Sequence, residues 1–283
     1  MQAAIDHPAL AAGRTAVVTG GAGGIGLAVA TRLARAGMNI CVADVEGLAE
    51  AERTLKEAGA PQLLVQKTDV SRFEDVLALK ERVFAAFGEV GLLMNNAAIG
   101  GKRGSAFDGL EQWKRTLDVN LMGIIHGVHA FTQAMLDSGQ PGLIVNAGSK
   151  QGITNPPGDL VYNISKAGIR TLTEGLAHSL RSIEGSRVAA HLLIPGFTYT
   201  TMIARILPEK PADAWLPEQV ADALVDGLLA DDFYILCPDN AVTREMDVAR
   251  MIWSAADIAE NRPALSRWHP DYKAAFDDFM AGQ

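Results

Sequence analysis

The sequence predicts an α/β fold of three layers, in which a doubly wound parallel sheet lies between helices. Two observations favour this class. Short apolar runs alternate along the chain with longer stretches of helical periodicity, which is the pattern of strands and helices in such sheets. A glycine-rich turn, residues 19–26, also joins the first apolar run to the first helical stretch. Folds of this class bind ligands beside the carboxyl ends of their strands.

Composition limits the partners that we expect. Of the 283 residues, 48% are hydrophobic and 20% are charged, which is typical of a soluble globular protein with a real core. The net charge of −8, without runs of lysine or arginine, argues against nucleic acid or a membrane surface as a partner. The sequence shows neither a signal-peptide pattern nor an apolar stretch of membrane-spanning length. We therefore expect a cytoplasmic protein.

The cysteines, the possible metal ligands and the lack of a linker segment limit the redox state, the metal content and the domain count that we expect. Cys41 and Cys237 both lie in apolar runs, which favours buried, reduced thiols over a disulfide framework. Metal ligands are too few and too scattered to predict a zinc site. No segment rich in glycine, serine or proline separates the units, so we predict one domain over residues 1–283, with a core at 14–237 and a helical extension at 238–283.

The first strand, turn and helix form a candidate phosphate-binding unit. Thr15–Val18 is the predicted strand, and the helix after the turn ends near Gly37. Glycines let the backbone approach a pyrophosphate closely, and the free N–H groups at the start of a helix attract its negative charge. A tight strand-to-helix connection without a ligand is the alternative.

Asp44 follows the second predicted strand, Asn39–Ala43. A carboxylate at this position can bind a ribose 2′-hydroxyl, and it would repel a 2′-phosphate. No arginine or lysine lies in the glycine turn or directly after Asp44. The position therefore predicts a preference for NAD over NADP. A second interpretation, compatible with the first, is an N-cap for a helix from residue 45 onward.

The rest of the chain continues the alternation. Further strands are predicted at residues 63–65, 92–94, 143–145, 191–194 and 233–237. Further helices are predicted at residues 72–87, 117–131, 159–181 and 217–229. Asn120 lies among apolar residues in the helix at 117–131. Because a buried amide needs hydrogen-bond partners, this residue marks either a bend of the helix or a functional site.

Ser149, Tyr162 and Lys166 form the candidate reaction centre. Tyr162 and Lys166 are four residues apart in the helix at 159–181, so they share one face. A free phenol titrates near ~10, and a neighbouring ammonium lowers the pKa of that phenol toward neutrality. Ser149 follows a buried strand, where its hydroxyl can hold a carbonyl or alcohol oxygen. Taken alone, the Tyr162/Lys166 spacing also suits an ordinary surface pair.

From residue 14 to residue 237 the chain resembles the short-chain dehydrogenase/reductase family. Five motifs carry the resemblance: the turn Thr19–Gly26, Asn95-Asn96-Ala97, Asn120, the Ser149/Tyr162/Lys166 set, and Pro195-Gly196 followed by Thr200. The resemblance implies a Rossmann-type fold with a seven-stranded parallel sheet. It also implies NAD(P) at the carboxyl ends of the strands, and hydride transfer between nicotinamide and a carbonyl–alcohol pair.

The resemblance assigns catalytic roles to four residues. Tyr162 would be the acid/base, and Lys166 would lower the pKa of Tyr162 and bind the nicotinamide ribose. Ser149 would hold the substrate oxygen, and Asn120 would anchor a water in a proton relay.

The resemblance also implies contacts with each part of the cofactor. The pyrophosphate would lie against Gly20, Gly24, Ile25 and Gly26. The adenosine end would lie against Asp44 at the ribose, Asp69 and Val70 at the adenine, and Asn96 and Ala97 nearby. The nicotinamide end would lie against Pro195, Gly196, Thr198 and Thr200, beside Tyr162 and Lys166.

These features predict an NAD-dependent oxidoreductase that interconverts a secondary alcohol and a ketone on a bulky apolar or ring-bearing substrate. The alternatives are a non-catalytic NAD(H)-binding module, and an epimerase or dehydratase that uses NAD transiently. A homodimer or homotetramer is implied by the resemblance alone. For the aromatic residues of the extension, we favour packing against the body or a neighbouring subunit, with a substrate lid as the alternative.

Overall fold

The centre of the structure, a computed structural model that describes residues 5–101 and 106–282, is a parallel sheet of seven strands. The strands are β1 (Thr15–Thr19), β2 (Asn39–Asp44), β3 (Leu63–Lys67), β4 (Leu92–Asn95), β5 (Gly142–Ala147), β6 (Val188–Ile194) and β7 (Tyr234–Leu236). Their order in the sheet is β3-β2-β1-β4-β5-β6-β7, and every neighbouring pair is parallel. The predicted fold class is confirmed.

Helices connect the strands and cover both faces of the sheet. They are α1 (Gly24–Arg35), α2 (Leu48–Glu57), α3 (Phe73–Phe87), α4 (Leu110–Leu117), α5 (Gly123–Asp137), α6 (Gln151–Thr154), α7 (Leu160–Arg181), α8 (Thr201–Ala204), α9 (Pro217–Leu229), α10 (Arg244–Ala259) and α11 (Lys273–Ala281). The helix predicted at 117–131 is interrupted, because a π-helical turn, Asp118–Met122, separates α4 from α5. Within the described residues, no helix is both long enough and apolar enough to cross a membrane.

Two apolar layers sandwich the sheet. Successive side chains of a strand point to opposite faces. Val18 of β1 accordingly packs in the layer that holds α1 and α9, whereas Val17 packs in the layer that holds α3, α5 and α7. Leu33 and Phe131, one from each layer, are almost fully buried. Burial on both faces explains why the strands read as continuous apolar runs.

The strand order places a crevice at the carboxyl end of β1. The chain passes from β1 to β2 on one side, and β4 joins β1 on the other side. Helices that follow these strands cover opposite faces, so the loops separate at this point and leave room for a ligand. The crevice therefore lies next to the last residues of β1, β4 and β5, which are Thr19, Asn95 and Ala147.

The extension after β7 is helical, as predicted, and three of its aromatic residues pack on one another. Trp253 of α10 is 6% exposed, and its ring lies 5.3 Å from the rings of both Phe276 and Phe279. The guanidinium of Arg262 covers the same indole at 4.0 Å from the ring centre. The contacts are favourable for aromatic rings and for a cation on an indole.

Candidate active site

One large cavity lies at the carboxyl ends of the strands. Its volume is about 1260 Å³, and it is lined by the glycine turn, the segments that follow β2 to β6, and α8. A dinucleotide together with a substrate needs more space than the ~300–1,000 Å³ that is usual for a small ligand. Two of the predicted site residues, Gly26 and Asn120, are not among the lining residues, whereas all the others are.

The glycine turn forms a cradle for a phosphate group. Gly20 and Gly24 have positive φ angles, and a Cβ atom on Gly20 would lie 2.7 Å from the Cα atom of Ala97. No side chain caps the start of α1, and its first turn contains no acidic residue. Its free N–H groups and positive dipole end therefore suit a pyrophosphate. The residues present thus fit a dinucleotide cofactor.

Gly26 has a different place from the one predicted. It is buried behind the turn, and a Cβ atom there would lie 2.2 Å from the carbonyl oxygen of Gly20. The residue allows α1 to approach the turn, and it does not line the cavity. Its contribution is close packing, because even a methyl group would push the turn apart.

Thr19 and Asn96 hold the turn against β4. The Thr19 hydroxyl accepts a hydrogen bond of 3.0 Å from the Asn96 N–H and donates one to the carbonyl of Met94. The Asn96 side-chain amide donates to the carbonyl oxygens of Thr19 and Gly20, at 3.0 and 3.1 Å. Asn96 therefore shapes the cradle, and it also lines the cavity.

Asp44 joins the end of β2 to the glycine turn. Its carboxylate accepts hydrogen bonds from the backbone N–H groups of Ala22, at 3.1 Å, and Val45, at 2.8 Å. Helix α2 begins only at Leu48, and Gly47 precedes it without a side-chain cap. The interpretation of Asp44 as a helix cap is therefore wrong. Its carboxylate stands in the wall of the cavity, beside the predicted adenine contacts Asp69 and Val70.

A cation that the sequence did not point to lies near Asp44. Arg205 follows α8 and lines the same end of the cavity, where its guanidinium pairs with Glu46 at 2.5 Å. Both side chains are largely exposed. Because the two residues are 159 positions apart, no local pattern links them.

The structure brings Ser149, Tyr162 and Lys166 together. Helix α7 begins after Asp159, whose carboxylate accepts a hydrogen bond from the Tyr162 N–H at 3.2 Å. Ser149 and Tyr162 both line the cavity, and the Ser149 side chain acts on the pKa of Tyr162 as a hydrogen-bond partner. Lys166, one turn further, donates a hydrogen bond of 2.8 Å to the carbonyl oxygen of Ala147, and its ammonium lies 5.5 Å from the centre of the Tyr162 ring.

Burial dominates the pKa values of this group. It raises the pKa of Tyr162 to about 12, although the hydrogen bond with Ser149 acts in the opposite direction. Burial also lowers the pKa of Lys166 to about 8. We expected Lys166 to lower the pKa of Tyr162. Among the described residues, Lys166 does not contribute to the shift of this pKa. Removing a charged form from water outweighs the partners that would stabilise it.

Asn120 is both a feature of an irregular helix and a support of the site. It lies in the π-helical turn and is fully buried. Its side chain accepts a hydrogen bond of 2.8 Å from the N–H of Ile99 and donates one of 2.9 Å to the carbonyl of the same residue. It also donates to the Ser165 hydroxyl at 3.3 Å. Asn120 therefore fixes Ile99, which lines the cavity, from behind.

Lys150 is the main residue of the site that sequence reasoning missed. It lines the cavity directly after Ser149, and its ammonium pairs with Asp239 and Asp247 of the extension. Its position beside Ser149 was the only signal in the sequence. The carboxylate partners are set by the path of the extension, which has no periodic relation to this loop.

The extension does not line the cavity. Among the described residues, the lining ends at Arg205, so the lid that we considered for the extension finds no support. In the same described part of the chain, no three histidine, cysteine, aspartate or glutamate side chains are grouped so that they could hold a metal ion.

Comparison with known proteins agrees with this geometry. A family model described as short chain dehydrogenase matches residues 14–211. The chain belongs to the short-chain dehydrogenase/reductase family. It is therefore an oxidoreductase of the family that binds NAD(P) and acts on small molecules.

Relatives of this family match most of the chain. The 3beta-hydroxysteroid dehydrogenase 1 of Eggerthella lenta is 37% identical over 274 residues, which cover 96% of this chain and 97% of that protein. The cis-4-hydroxycyclohexanecarboxylate dehydrogenase of Sinomonas cyclohexanicum is 33% identical over 77% of this chain and 90% of its own length. A crystal structure of a family member from Burkholderia phymatum in complex with NAD has a TM-score of 0.80 at 32% identity, and covers 89% of this chain and 96% of that one.

Proposed function

We propose that this protein is an NAD-dependent dehydrogenase that interconverts a secondary alcohol and a ketone on a bulky apolar or ring-bearing substrate. One observation carries the proposal. The side chains of Ser149 and Tyr162 lie together with the buried ammonium of Lys166 in the wall of a cavity large enough for a dinucleotide and a substrate. This arrangement suits proton transfer at an oxygen atom.

Each part of the cavity suits one part of the cofactor. Gly20, Gly24 and Ile25 would hold the pyrophosphate, with Gly26 packed behind them. Asp44 would bind the adenosine ribose, Asp69 and Val70 the adenine, and Asn96 and Ala97 the ribose region on the adenosine side. Pro195, Gly196, Thr198 and Thr200 would hold the nicotinamide end, with Tyr162 and Lys166 at its ribose. When bound, the nicotinamide would supply or accept the hydride.

The charge around the adenosine end supports NAD over NADP. Asp44 and Glu46 both line the cavity, and in the proposed binding mode their carboxylates would lie close to a 2′-phosphate. Arg205 lines the same cavity, but its guanidinium is already paired with Glu46. Like charges at this distance oppose a phosphate, whereas a carboxylate can accept a hydrogen bond from a ribose hydroxyl.

Four side chains would have separate roles in binding the substrate oxygen and transferring the proton. The Ser149 hydroxyl would hold the substrate oxygen, and Tyr162 would give a proton to that oxygen or take one from it. With its pKa raised by burial, Tyr162 is protonated at neutral pH, which suits reduction of a ketone. Lys166 would bind the nicotinamide ribose, since the lowering of the Tyr162 pKa that we expected from it is not found. Asn120, held behind Ile99, would anchor the water of a proton relay.

The substrate class rests on the cavity wall and on the relatives. Ile99, Phe197 and Met202 add apolar surface to the cavity wall. The names of two relatives, a 3beta-hydroxysteroid dehydrogenase and a hydroxycyclohexanecarboxylate dehydrogenase, both specify a hydroxyl group on a ring. An apolar wall of this kind binds rings by excluding water.

A homodimer or homotetramer, formed by a single-domain chain, completes the proposal. Leu110 of α4, Met122 of the π-helical turn, and Leu160 and Ile164 of α7 are apolar and exposed. Such surfaces are typical of contacts between subunits. Light scattering of the purified protein would test this part, and a monomer at micromolar concentration would contradict it.

Turnover of an alcohol panel tests the function. The protein is incubated with NAD and hydroxysteroids, cyclic alcohols, aryl alcohols or sugars, and NADH is followed by absorbance. Tyr162→Phe should lower kcat by about a thousandfold, with the Kd for NAD changed by less than about twofold. Tyr234→Phe is the matched control and should keep full turnover, because its hydroxyl bonds to Glu174 and neither residue lines the cavity.

Other outcomes separate the alternatives. Turnover retained in Tyr162→Phe would overturn the assigned chemistry. NAD binding without oxidation of any alcohol would favour a binding module, and conversion of a substrate without net formation of NADH would favour an epimerase or dehydratase.

A further inference from the structure

A buried cluster of three charged side chains lies beside Ser149. The ammonium of Lys150 is 2.5 Å from a carboxylate oxygen of Asp247 and 3.4 Å from one of Asp239. The side chains of Lys150, Asp239 and Asp247 are only 15%, 7% and 5% exposed. We call these three residues the charge cluster. Two carboxylates already balance the ammonium, so Lys150 is not free to bind an acidic substrate.

The charge cluster connects three segments of the chain. Lys150 follows β5, and its N–H donates to the carbonyl of Pro195, which follows the neighbouring strand β6. Asp239 follows β7, and its carboxylate accepts a hydrogen bond of 3.3 Å from the N–H of Phe197. Asp247 lies in the first turn of α10, where the helix dipole favours a negative charge. The loops that carry Ser149 and Pro195 are thus tied to the extension.

Packing leaves these loops little freedom. A Cβ atom on Gly196 would lie 2.8 Å from a carboxylate oxygen of Asp239 and 3.0 Å from the Lys150 ammonium. A side chain at position 196 would therefore press on the paired ends of Asp239 and Lys150. A paired charge in such a place resists displacement, because its partner would be left buried and uncompensated.

We propose that Lys150, Asp239 and Asp247 are positioning residues of the active site. They hold the loop of Ser149 and the loop of Pro195–Thr198 at a fixed separation. In the proposed function, on which this inference rests, the first loop holds the substrate oxygen and the second the nicotinamide end. The extension lies outside the cavity, and through the charge cluster it sets the distance between the two reacting partners.

Removal of the charge tests the proposal. Lys150→Met keeps the length of the side chain and loses its charge. We expect kcat to fall by about tenfold to a hundredfold, because a displacement of ~1 Å costs that much in an oriented reaction. The Kd for NAD should change much less than kcat, because the glycine turn and the adenosine end are untouched. Lys150→Arg should restore much of the rate.

Two further variants keep the proposal testable if Lys150→Met does not fold, and show whether the two residues act together. Asp247→Asn is nearly isosteric and serves if Lys150→Met does not fold. Because both substitutions break one contact, the double variant Lys150→Met/Asp247→Asn should lose no more activity than Lys150→Met alone. Additive losses in kcat would show that the two residues act separately, and would overturn the cluster as a unit.

Arg262→Met is the matched control. Arg262 pairs with Asp257 inside the extension, and its side chain is similarly enclosed, at 11% exposure. The substitution should lower Tm and leave kcat unchanged. An equal loss of kcat in Arg262→Met would show that general loosening of the extension is enough, and would overturn the positioning role.

Amide hydrogen exchange tests the positioning role without a measurement of turnover. Peptides that cover residues 148–152 and 195–198 should exchange faster in Lys150→Met and unchanged in Arg262→Met. If the parent protein oxidises no alcohol, the proposed function fails and this measurement still decides the positioning. Unchanged exchange and unchanged kcat in a folded Lys150→Met variant would refute the proposal.

Discussion

The Lys166 ammonium donates a hydrogen bond of 2.8 Å to the carbonyl oxygen of Ala147, the last residue of β5. This contact ties the middle of the site to the sheet and holds a buried cation 5.5 Å from the centre of the Tyr162 ring. Its cost is the loss of water around the ammonium, which lowers the pKa of Lys166 from an ordinary 10.5 to about 8.

The lowered pKa of Lys166 predicts a pH dependence of stability. Between pH 8 and 10.5 the unfolded chain binds more protons at this residue than the folded chain does, so its contribution to the free energy of unfolding rises with pH. Lys166→Met should lose this rise, which amounts to at most about 3 kcal/mol. Urea unfolding of both proteins at several pH values measures it.

Tyr162 acts in the opposite direction at higher pH. Its pKa is raised to about 12, so its contribution to stability falls once the unfolded phenol ionises above its ordinary pKa of 10. Because both proteins keep Tyr162, this fall cancels in the comparison. Parallel pH curves for the parent and Lys166→Met would contradict the lowered pKa of Lys166.

Asp44→Ala should relax the choice of cofactor. The substitution removes the carboxylate that we expect at the adenosine ribose, and the ratio of kcat/KM for NAD to that for NADP should fall by about tenfold or more. Glu46→Ala should shift the same ratio less, by freeing Arg205 for a phosphate. Steady-state kinetics with both cofactors gives the ratios. A ratio unchanged in Asp44→Ala would remove the ribose role.

Gly26→Ala should destabilise the fold. The added methyl group would lie 2.2 Å from the Gly20 carbonyl oxygen, which forces the backbone of the turn to move. We expect a loss of about 1–3 kcal/mol in the free energy of unfolding, together with weaker NAD binding. Gly175→Ala is the control, because this glycine lies in helix α7 with nothing within 4 Å of the added atom.

The control should change stability in the other direction. Alanine in place of an exposed helical glycine stabilises by up to about 1 kcal/mol. Thermal and urea unfolding of the two variants would measure both effects. Equal stability of Gly26→Ala and Gly175→Ala would show that the turn yields easily, against the close packing described here.

The sequence predicted most of the fold because its signals are local. Helix α9 spans Pro217–Leu229, as predicted, since a proline suits the first turn and apolar periodicity continues to the end. Strand β3 extends to Lys67, two residues beyond the prediction, because hydrogen bonding continues after the apolar run stops. The π-helical turn at Asn120 could not be predicted, since periodicity over a helix does not resolve one widened turn.

The site divides in the same way. Ser149, Tyr162 and Lys166 could be grouped from sequence, because one follows a parallel strand and the others share a helix face. The direction of the Tyr162 pKa could not, because burial depends on the whole fold. The partners of Lys150 were equally hidden, since Asp239 and Asp247 reach it only through the course of the extension.

The position of Asn120 depends on the π-helical turn between α4 and α5, whereas the packing of these two helices does not. A π turn holds one residue more than the α turn it replaces, so the joined helix contains a surplus residue that its packing against the sheet does not need. A chain shortened by one residue at this turn would keep the buried faces of α4 and α5 in place. It would rotate Asn120 away from Ile99, and the protein would stay folded while the proton transfer that we propose failed.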